Sequence, residues 1–138
     1  MIKTITPERG ADVRGNGAFG APCGARRYNG IDYAAWPDSI VLSSCIGLVT
    51  KIGFPYSPHD KEKGHLRYVE VTTPLAYKLR YFYVEPSVEI GNRIHKGQAI
   101  GVVQDLAAIY PGITPHVHVE CTFDGGYINP ERYLKEVG

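Results

Sequence analysis

The chain has 138 residues and a mass of 15.2 kDa, which suits a single domain spanning 1–138. Its formal net charge of +1 provides no electrostatic surface for nucleic acid or an anionic membrane. No apolar run approaches the ~20 residues of a membrane helix, and the first residues lack the apolar stretch of a secretory signal. We therefore expect a protein made in the cytoplasm, with no nucleic-acid partner and no membrane insertion.

Turn-forming residues punctuate the whole chain. Sixteen glycines and ten prolines predict many turns and little helix, and an irregular entry segment is expected over about 1–30. Segments rich in β-branched and aromatic residues then predict strands, and they lie at 40–54, 66–73, 76–84, 102–103 and 117–122. Only 130–137 has a helical pattern. The expected fold class is mostly β, an antiparallel sandwich or rolled sheet with long loops.

The three cysteines, Cys23, Cys45 and Cys121, cannot all pair within one chain. Their spacing does not match a Cys-x-x-Cys motif for zinc or redox chemistry. We expect free and mostly buried thiols, while a bridge between two of them stays open.

A polar site is predicted where His116 and His118 follow Pro115 on a strand. Residues two apart on a strand face the same side, so two imidazoles there could bind a metal and move protons. Alone, a His-x-His pair is more often structural, and Asp32 alone would be a turn-capping carboxylate. Together they favour a functional site, with Gly30 allowing close approach of the backbone.

Three other histidines lie in segments expected to be solvent-exposed. His59 and His65 lie in or beside a charged loop, and His95 lies in the turn before Lys-Gly-Gln-Ala-Ile-Gly at 96–101. None lies in a metal-ligand motif, so we expect all three to be surface residues.

Four motifs in order resemble the lysostaphin/LytM-type zinc metalloendopeptidases. They are Gly-Ile-Asp at 30–32, Lys-Gly-Gln-Ala-Ile-Gly at 96–101, Pro-His-Val-His-Val-Glu at 115–120, and Ile-Asn-Pro-Glu-Arg-Tyr-Leu at 128–134. The segments 82–86 and 110–118 are similar to the leukocyte cell-derived chemotaxin branch of that family. The resemblance implies the family fold over most of the chain.

The resemblance also implies a site, with two departures. Zinc would be held by position 28, Asp32 and His118, and His116 and position 83 would serve hydrolysis. Tyr28 and Tyr83 stand where the family has histidine. A phenol, with a pKa of ~10, must lose its proton to ligate well, so zinc binding is expected to be weakened or lost. Whether Tyr28 ligates or only packs over the site stays open, and the Tyr83 hydroxyl could still donate to an oxyanion.

Two functions follow from the resemblance. The first is a zinc endopeptidase of reduced efficiency on peptidoglycan cross-link peptides, as a phage tail component or endolysin delivered to the wall. The second is a catalytically silent module that binds peptidoglycan or protein, with other subunits of a phage or wall-lytic assembly as partners. A third hypothesis is an unrelated β domain. With metal bonds of about 2 Å, the ligating atoms of Asp32 and His118 should lie roughly 3–4 Å apart.

Overall fold

The computed structural model describes residues 30–130 and four two-residue strands before them. Strand β1 (Ala11–Asp12) pairs with β2 (Gly15–Asn16), and β3 (Pro22–Cys23) pairs with β4 (Arg26–Arg27). Part of the predicted irregular entry segment is therefore strand, and its other positions up to residue 29 lie outside the described residues. Apart from Pro130, the predicted helix at 130–137 also lies outside them.

Seven strands form the main sheet, and all of its pairings are antiparallel. The order is β11-β7-β8-β9-β13-β14, and β5 also pairs with β13. The bounds are β5 (Gly30–Ala34), β7 (Gly47–Gly53), β8 (Tyr68–Thr72), β9 (Lys78–Phe82), β11 (Arg93–Ile94), β13 (His116–Phe123) and β14 (Gly126–Ile128).

A second, three-stranded antiparallel sheet has the order β10-β12-β6. Its strands are β6 (Ile40–Leu42), β10 (Val84–Pro86) and β12 (Ala99–Val103). Buried side chains of the two sheets form one hydrophobic cluster. The mostly β, antiparallel fold expected from the sequence is confirmed, and among the described residues no helix is long and apolar enough to cross a membrane.

Alternation along β13 separates the core from the polar face of the sheet. Val117, Val119 and Cys121 are fully buried in the hydrophobic cluster. Successive side chains of a strand point to opposite faces. His116, His118 and Glu120 therefore lie on the other face. The same strand therefore supplies both the core and the candidate site.

Backbone hydrogen bonds fix two turns that lead into strands. Thr73 accepts a hydrogen bond from the Ala76 amide at 2.9 Å, which closes the turn between β8 and β9. Gly97 has φ +85°, a conformation that favours glycine, and its amide donates to the Ser43 carbonyl at 2.8 Å. This turn sets the start of β12, where Ile100 is fully buried.

Three histidines and two cysteines outside the site have the exposure that the sequence predicts. His59, His65 and His95 are exposed. Cys45 and Cys121 are free and buried, while the side chain of Cys23 lies outside the described part.

Candidate functional site

Strand pairing brings Asp32 between the two histidines. In the register of β5 and β13, Asp32 lies directly opposite His118, and Ala34 lies opposite His116. Asp32 Oδ1 is 2.7 Å from His118 Nδ1, and Asp32 Oδ2 is 3.3 Å from His116 Nε2. All three side chains are buried, at 0%, 8% and 2% exposed for Asp32, His118 and His116. The predicted association of these residues is thus present in the structure.

Gly30 is required for this close approach. A Cβ at that position would clash with the Val119 carbonyl oxygen and would lie 2.8 Å from His118 Cε1. Real Cβ atoms essentially never come so near, so a larger residue would push β5 away from His118. The Gly-x-Asp pattern therefore combines space for the imidazole with the carboxylate that contacts it.

His118 lies between two carboxylates. Its Nδ1 bonds Asp32, and its Nε2 is 3.0 Å from Glu120 Oε2. Burial, the largest influence, lowers the pKa of His118, but hydrogen bonds and charge attraction from Asp32 and Glu120 outweigh it and raise the pKa to about 9. Both ring nitrogens of His118 thus face carboxylate oxygens, which accept hydrogen bonds. Glu120 was not assigned to the site from the sequence, although it closes the Pro-His-x-His-x-Glu motif.

His116 has a different environment. Its Nδ1 is 2.7 Å from the Thr114 carbonyl oxygen, which can only accept, so Nδ1 carries a proton. The ring of Tyr83 meets the His116 ring edge-on, with centroids 5.5 Å apart and planes at 87°. Nε2 is then the nitrogen that can gain or lose a proton, and Asp32 stabilises its protonated form.

The backbone of Tyr83 is held in an unusual conformation. Its φ of +71° is rare for an aromatic residue. The Tyr83 amide donates to the Arg67 carbonyl at 2.8 Å, and the Tyr83 carbonyl accepts from the Gln104 amide at 2.8 Å. The Gln104 side chain accepts from the Arg67 amide at 2.9 Å and donates to the His65 carbonyl at 2.8 Å. Gln104 thus fixes Tyr83 against His116, and no sequence motif marks it.

A cleft of about 460 Å³ lies over the polar face of the main sheet. Its lining is mostly aromatic, with one cation, one carboxylate and one imidazole: Phe54, Pro55, Tyr56, Tyr68, Arg80, Phe82, Tyr83, His118, Glu120 and Tyr127. His118 and Tyr83 line this cleft, whereas the buried His116, whose ring meets that of Tyr83 edge-on, is not part of the lining.

The described residues do not form a complete zinc site. Two donors about 2 Å from a tetrahedral metal are roughly 3.3 Å apart. Asp32 Oδ1 and His118 Nδ1 are 2.7 Å apart, a hydrogen-bond distance and shorter than the 3–4 Å expected from the sequence. Within residues 30–130 no group of three or more His, Cys, Asp or Glu is arranged to hold a metal ion. Tyr28 lies outside the described residues.

The fold and the site define a class of protein. A model of peptidase family M23 matches residues 26–130, so the chain belongs to that family. M23 peptidases are zinc-dependent and act on peptidoglycan. The family predicted from the four motifs is confirmed.

Particular relatives extend the comparison. Mouse leukocyte cell-derived chemotaxin-2 is 29% identical over 118 residues, which cover 86% of this chain and 75% of the relative. Helicobacter pylori Csd3 is 26% identical with a TM-score of 0.65, over 94% of this chain but only 32% of Csd3. The catalytic domain of lysostaphin from Staphylococcus simulans has the same fold, with a TM-score of 0.65 and 18% identity over 88% of this chain and 90% of that domain.

Proposed function

We propose that this domain binds peptidoglycan peptides in the cleft and hydrolyses them little or not at all. The observation that carries the proposal is Tyr83, which stands where the family has a catalytic histidine and whose ring meets that of His116 edge-on.

Two further observations support binding without efficient hydrolysis. His116, the residue expected to act as base, is 2% exposed, and its ring meets that of Tyr83 edge-on. A general base must come within hydrogen-bond reach of the group it deprotonates, directly or through a water. In addition, Tyr28 replaces the imidazole of the third ligand with a phenol.

The cleft retains what peptide binding needs. Aromatic rings such as Tyr68 and Phe82, whose centroids lie 4.8 Å apart, provide flat apolar surface for the aliphatic parts of a peptide. Glu120 and Arg80 provide polar groups of opposite charge beside these rings. A few polar groups on an aromatic surface can fix the orientation of a bound chain.

A slow zinc endopeptidase is the second candidate, and the geometry of His116 favours it. Its proton on Nδ1 is fixed by Thr114 and its Nε2 faces Asp32, the arrangement that suits a proton acceptor. This candidate requires Tyr28, Asp32 and His118 to hold zinc, which would supply an acidified water. It also requires Tyr83 to move away from His116.

A peptidoglycan assay separates the two candidates. We expect soluble muropeptides to bind the wild-type chain, measured by calorimetry, and no new amino groups to appear on incubation with purified walls. Phe82→Ala should weaken muropeptide binding, whereas Leu75→Ala, an exposed residue outside the cleft lining, should not.

The outcome that contradicts the proposal is wall hydrolysis that depends on His116. If His116→Ala lowers turnover by ~10²–10⁴ while zinc content stays unchanged and His118→Ala removes the zinc, the chain is an endopeptidase.

The biological setting is a separate proposal. From the sequence we place the domain in a phage tail, an endolysin or another wall-lytic assembly. The match of the M23 family model over residues 26–130 supports a wall-directed setting. Mass spectrometry of purified virions from a lysogen that carries the coding sequence would test it, and absence of the chain from them would argue against a tail component.

A further inference from the structure

A second groove, with a volume of about 380 Å³, lies at the β11 edge of the main sheet. Strand register builds it, because Arg93 of β11 lies opposite Leu48 of β7, and Leu48 lies opposite Thr72 of β8. These three residues line the groove, together with Ile46 before β7 and Pro74 after β8. None of its lining residues lines the peptide cleft, so the groove is a separate site.

The groove presents apolar side chains to solvent. Ile46 is 55% exposed and Leu48 is 45% exposed. Leu75, which follows Pro74 in the chain, is 69% exposed. Large apolar side chains that are exposed together around a concave surface are typical of a place where another molecule binds.

The hydroxyl groups of the groove are already engaged within the chain. Thr50 donates to Glu70 Oε1 at 2.7 Å, so in the 2.8 Å contact between the Thr50 and Thr72 hydroxyls Thr72 is the donor. The Thr73 hydroxyl accepts a hydrogen bond from the Tyr77 amide at 3.1 Å. These hydroxyls need no ligand to satisfy them, and a charged group of a ligand must find another partner.

Arg93 is suited to be that partner. Among the residues that line the groove it alone carries a formal charge, and no carboxylate lies among them. Within residues 30–130 Arg93 forms no ion pair, and Glu70, which contacts Thr50 of the lining, is paired with Arg80 at 2.8 Å. A guanidinium binds a carboxylate through charge-assisted hydrogen bonds. The groove is therefore complementary to an apolar group with a negative charge beside it.

We infer that this groove docks an acidic segment of a partner protein. An apolar side chain of the segment packs against Ile46 and Leu48, and a neighbouring carboxylate binds Arg93. A polypeptide fits this surface better than a small molecule, because exposed apolar surface continues to Leu75, next to Pro74 of the lining. A few anchoring side chains carry most of the affinity of such interfaces. The inference does not depend on whether the peptide cleft binds or hydrolyses peptidoglycan.

Three short peptides test the two parts of this recognition. The probe is acetyl-Asp-Asp-Leu-Leu-Asp-Asp-amide, which places acids on both sides of an apolar pair. Replacing its acids by Asn removes the charge, and replacing its leucines by Ser removes the apolar part. By NMR titration at low salt, we expect the probe to bind about threefold more tightly than the Asn peptide, and this ratio to shrink as salt is raised. The Ser peptide should bind more weakly than the probe, and amide shifts should be centred on 46–48 and 93–95.

Variants of the chain assign each part to a residue. Arg93→Gln changes an exposed side chain and should bring the ratio of probe to Asn peptide close to one. Leu48→Ser should weaken both peptides about fivefold, and Ile46→Ser, just before β7, keeps the test valid if Leu48→Ser fails to fold. Two matched controls should change nothing: Lys61→Gln at an exposed loop cation, and Ile40→Ser at an exposed residue of the second sheet.

Four outcomes would overturn the inference. They are no binding of the probe at millimolar concentration, equal affinity for the probe and the Asn peptide, and a ratio that persists in Arg93→Gln. The fourth is a dimer of the wild type in sedimentation that Leu48→Ser abolishes, which would mean that a second copy of the chain occupies the groove. Decanoate serves as a small apolar carboxylate, and it should bind more weakly than the probe; tighter binding would likewise overturn docking of a protein segment.

Discussion

The two faces of the main sheet are formed by the same strands but are stabilised by different interactions. On the core face, Val119 of β13 lies opposite Tyr81 of β9, and both are fully buried in the hydrophobic cluster. On the polar face, Glu120 lies opposite Arg80, which in turn lies opposite Glu70 of β8. One face is held by apolar packing, and the other by hydrogen bonds and charge.

This difference explains how the fold can persist while the site changes. Tyr83, one of the two departures from the family pattern, contacts His116 on the polar side and belongs to no part of the buried hydrophobic cluster. Replacing a catalytic imidazole there leaves the apolar packing between the sheets intact. Substitutions on the two faces should therefore have separable effects, mainly on stability for one and mainly on binding for the other.

The largest loss of stability should come from the core face. Leu79 is fully buried, so Leu79→Ala should lower the free energy of unfolding by about 3 kcal/mol through lost burial and the cavity left behind. Its exposed neighbour Lys78 provides the control, because Lys78→Ala should change the free energy of unfolding by under ~0.5 kcal/mol. Urea denaturation measures both, and similar losses would contradict the division into faces.

Asp32 lies on the polar face, but its replacement should also lower the stability of the fold. Asp32→Ala removes the carboxylate that contacts both buried histidines, and we expect a loss of roughly 2–3 kcal/mol in urea denaturation. Glu62→Ala, at an exposed loop carboxylate, should have almost no effect. A loss for Asp32→Ala as small as that control would mean that this network does not hold β5 against β13.

Glu70 should have a smaller, pH-dependent effect. Burial, the largest influence, raises the pKa of Glu70, but hydrogen bonds from Thr50 and Arg80 and the nearby positive charges outweigh it, so the net shift is downward. A lowered pKa stabilises the fold above the unfolded value of 4.5, and this contribution is lost as pH falls below it. Glu70→Gln should cost about 1 kcal/mol at pH 7. The difference from wild type in thermal or urea unfolding should shrink on acidification, and a growing difference would contradict the assignment.

The buried thiols should cause the smallest change of stability with pH near neutrality. Burial raises the pKa of Cys45 and raises that of Cys121 to about 12. Native protein should therefore react with iodoacetamide at these positions only as fast as it opens, which mass spectrometry after proteolysis can follow. Since unfolded thiols ionise near 9.0, their contribution to stability should be complete below that pH and decline above it. Rapid labelling of Cys121 in native protein would show that the core face is more open than described.

Most of the fold could be predicted from the sequence, because its signals are local. Alternation in 66–84 and around 117–122 gives the strands, and Gly97 marks a turn whose geometry few other residues suit. The pairing of β5 with β13 is not local, and it was expected only through the motifs that carry Asp32 and the two histidines. The second sheet and its packing against the first had no comparable signal.

The site could be predicted only in part. The sequence indicates that Asp32, His116 and His118 belong together, and the register of β5 and β13 places Asp32 opposite His118. It does not show that Glu120 takes the second nitrogen of His118, since that depends on side-chain direction along β13. Gln104 was missed because its role is to hold the backbone of Tyr83, which depends on contacts between distant segments.

The central claim is that the Asp32–His118 centre has lost most of its affinity for zinc because Tyr28 stands where the family has a ligand histidine. Titration against a competing chelator, on wild type and on Tyr28→His, tests it most directly. We expect Tyr28→His to bind zinc at least ~10-fold more tightly, equivalent to about 1.4 kcal/mol, because a neutral imidazole needs no deprotonation. Wall hydrolysis should appear or increase with it, limited by Tyr83. Wild type that already binds zinc as tightly as the variant would contradict the account and favour an active endopeptidase.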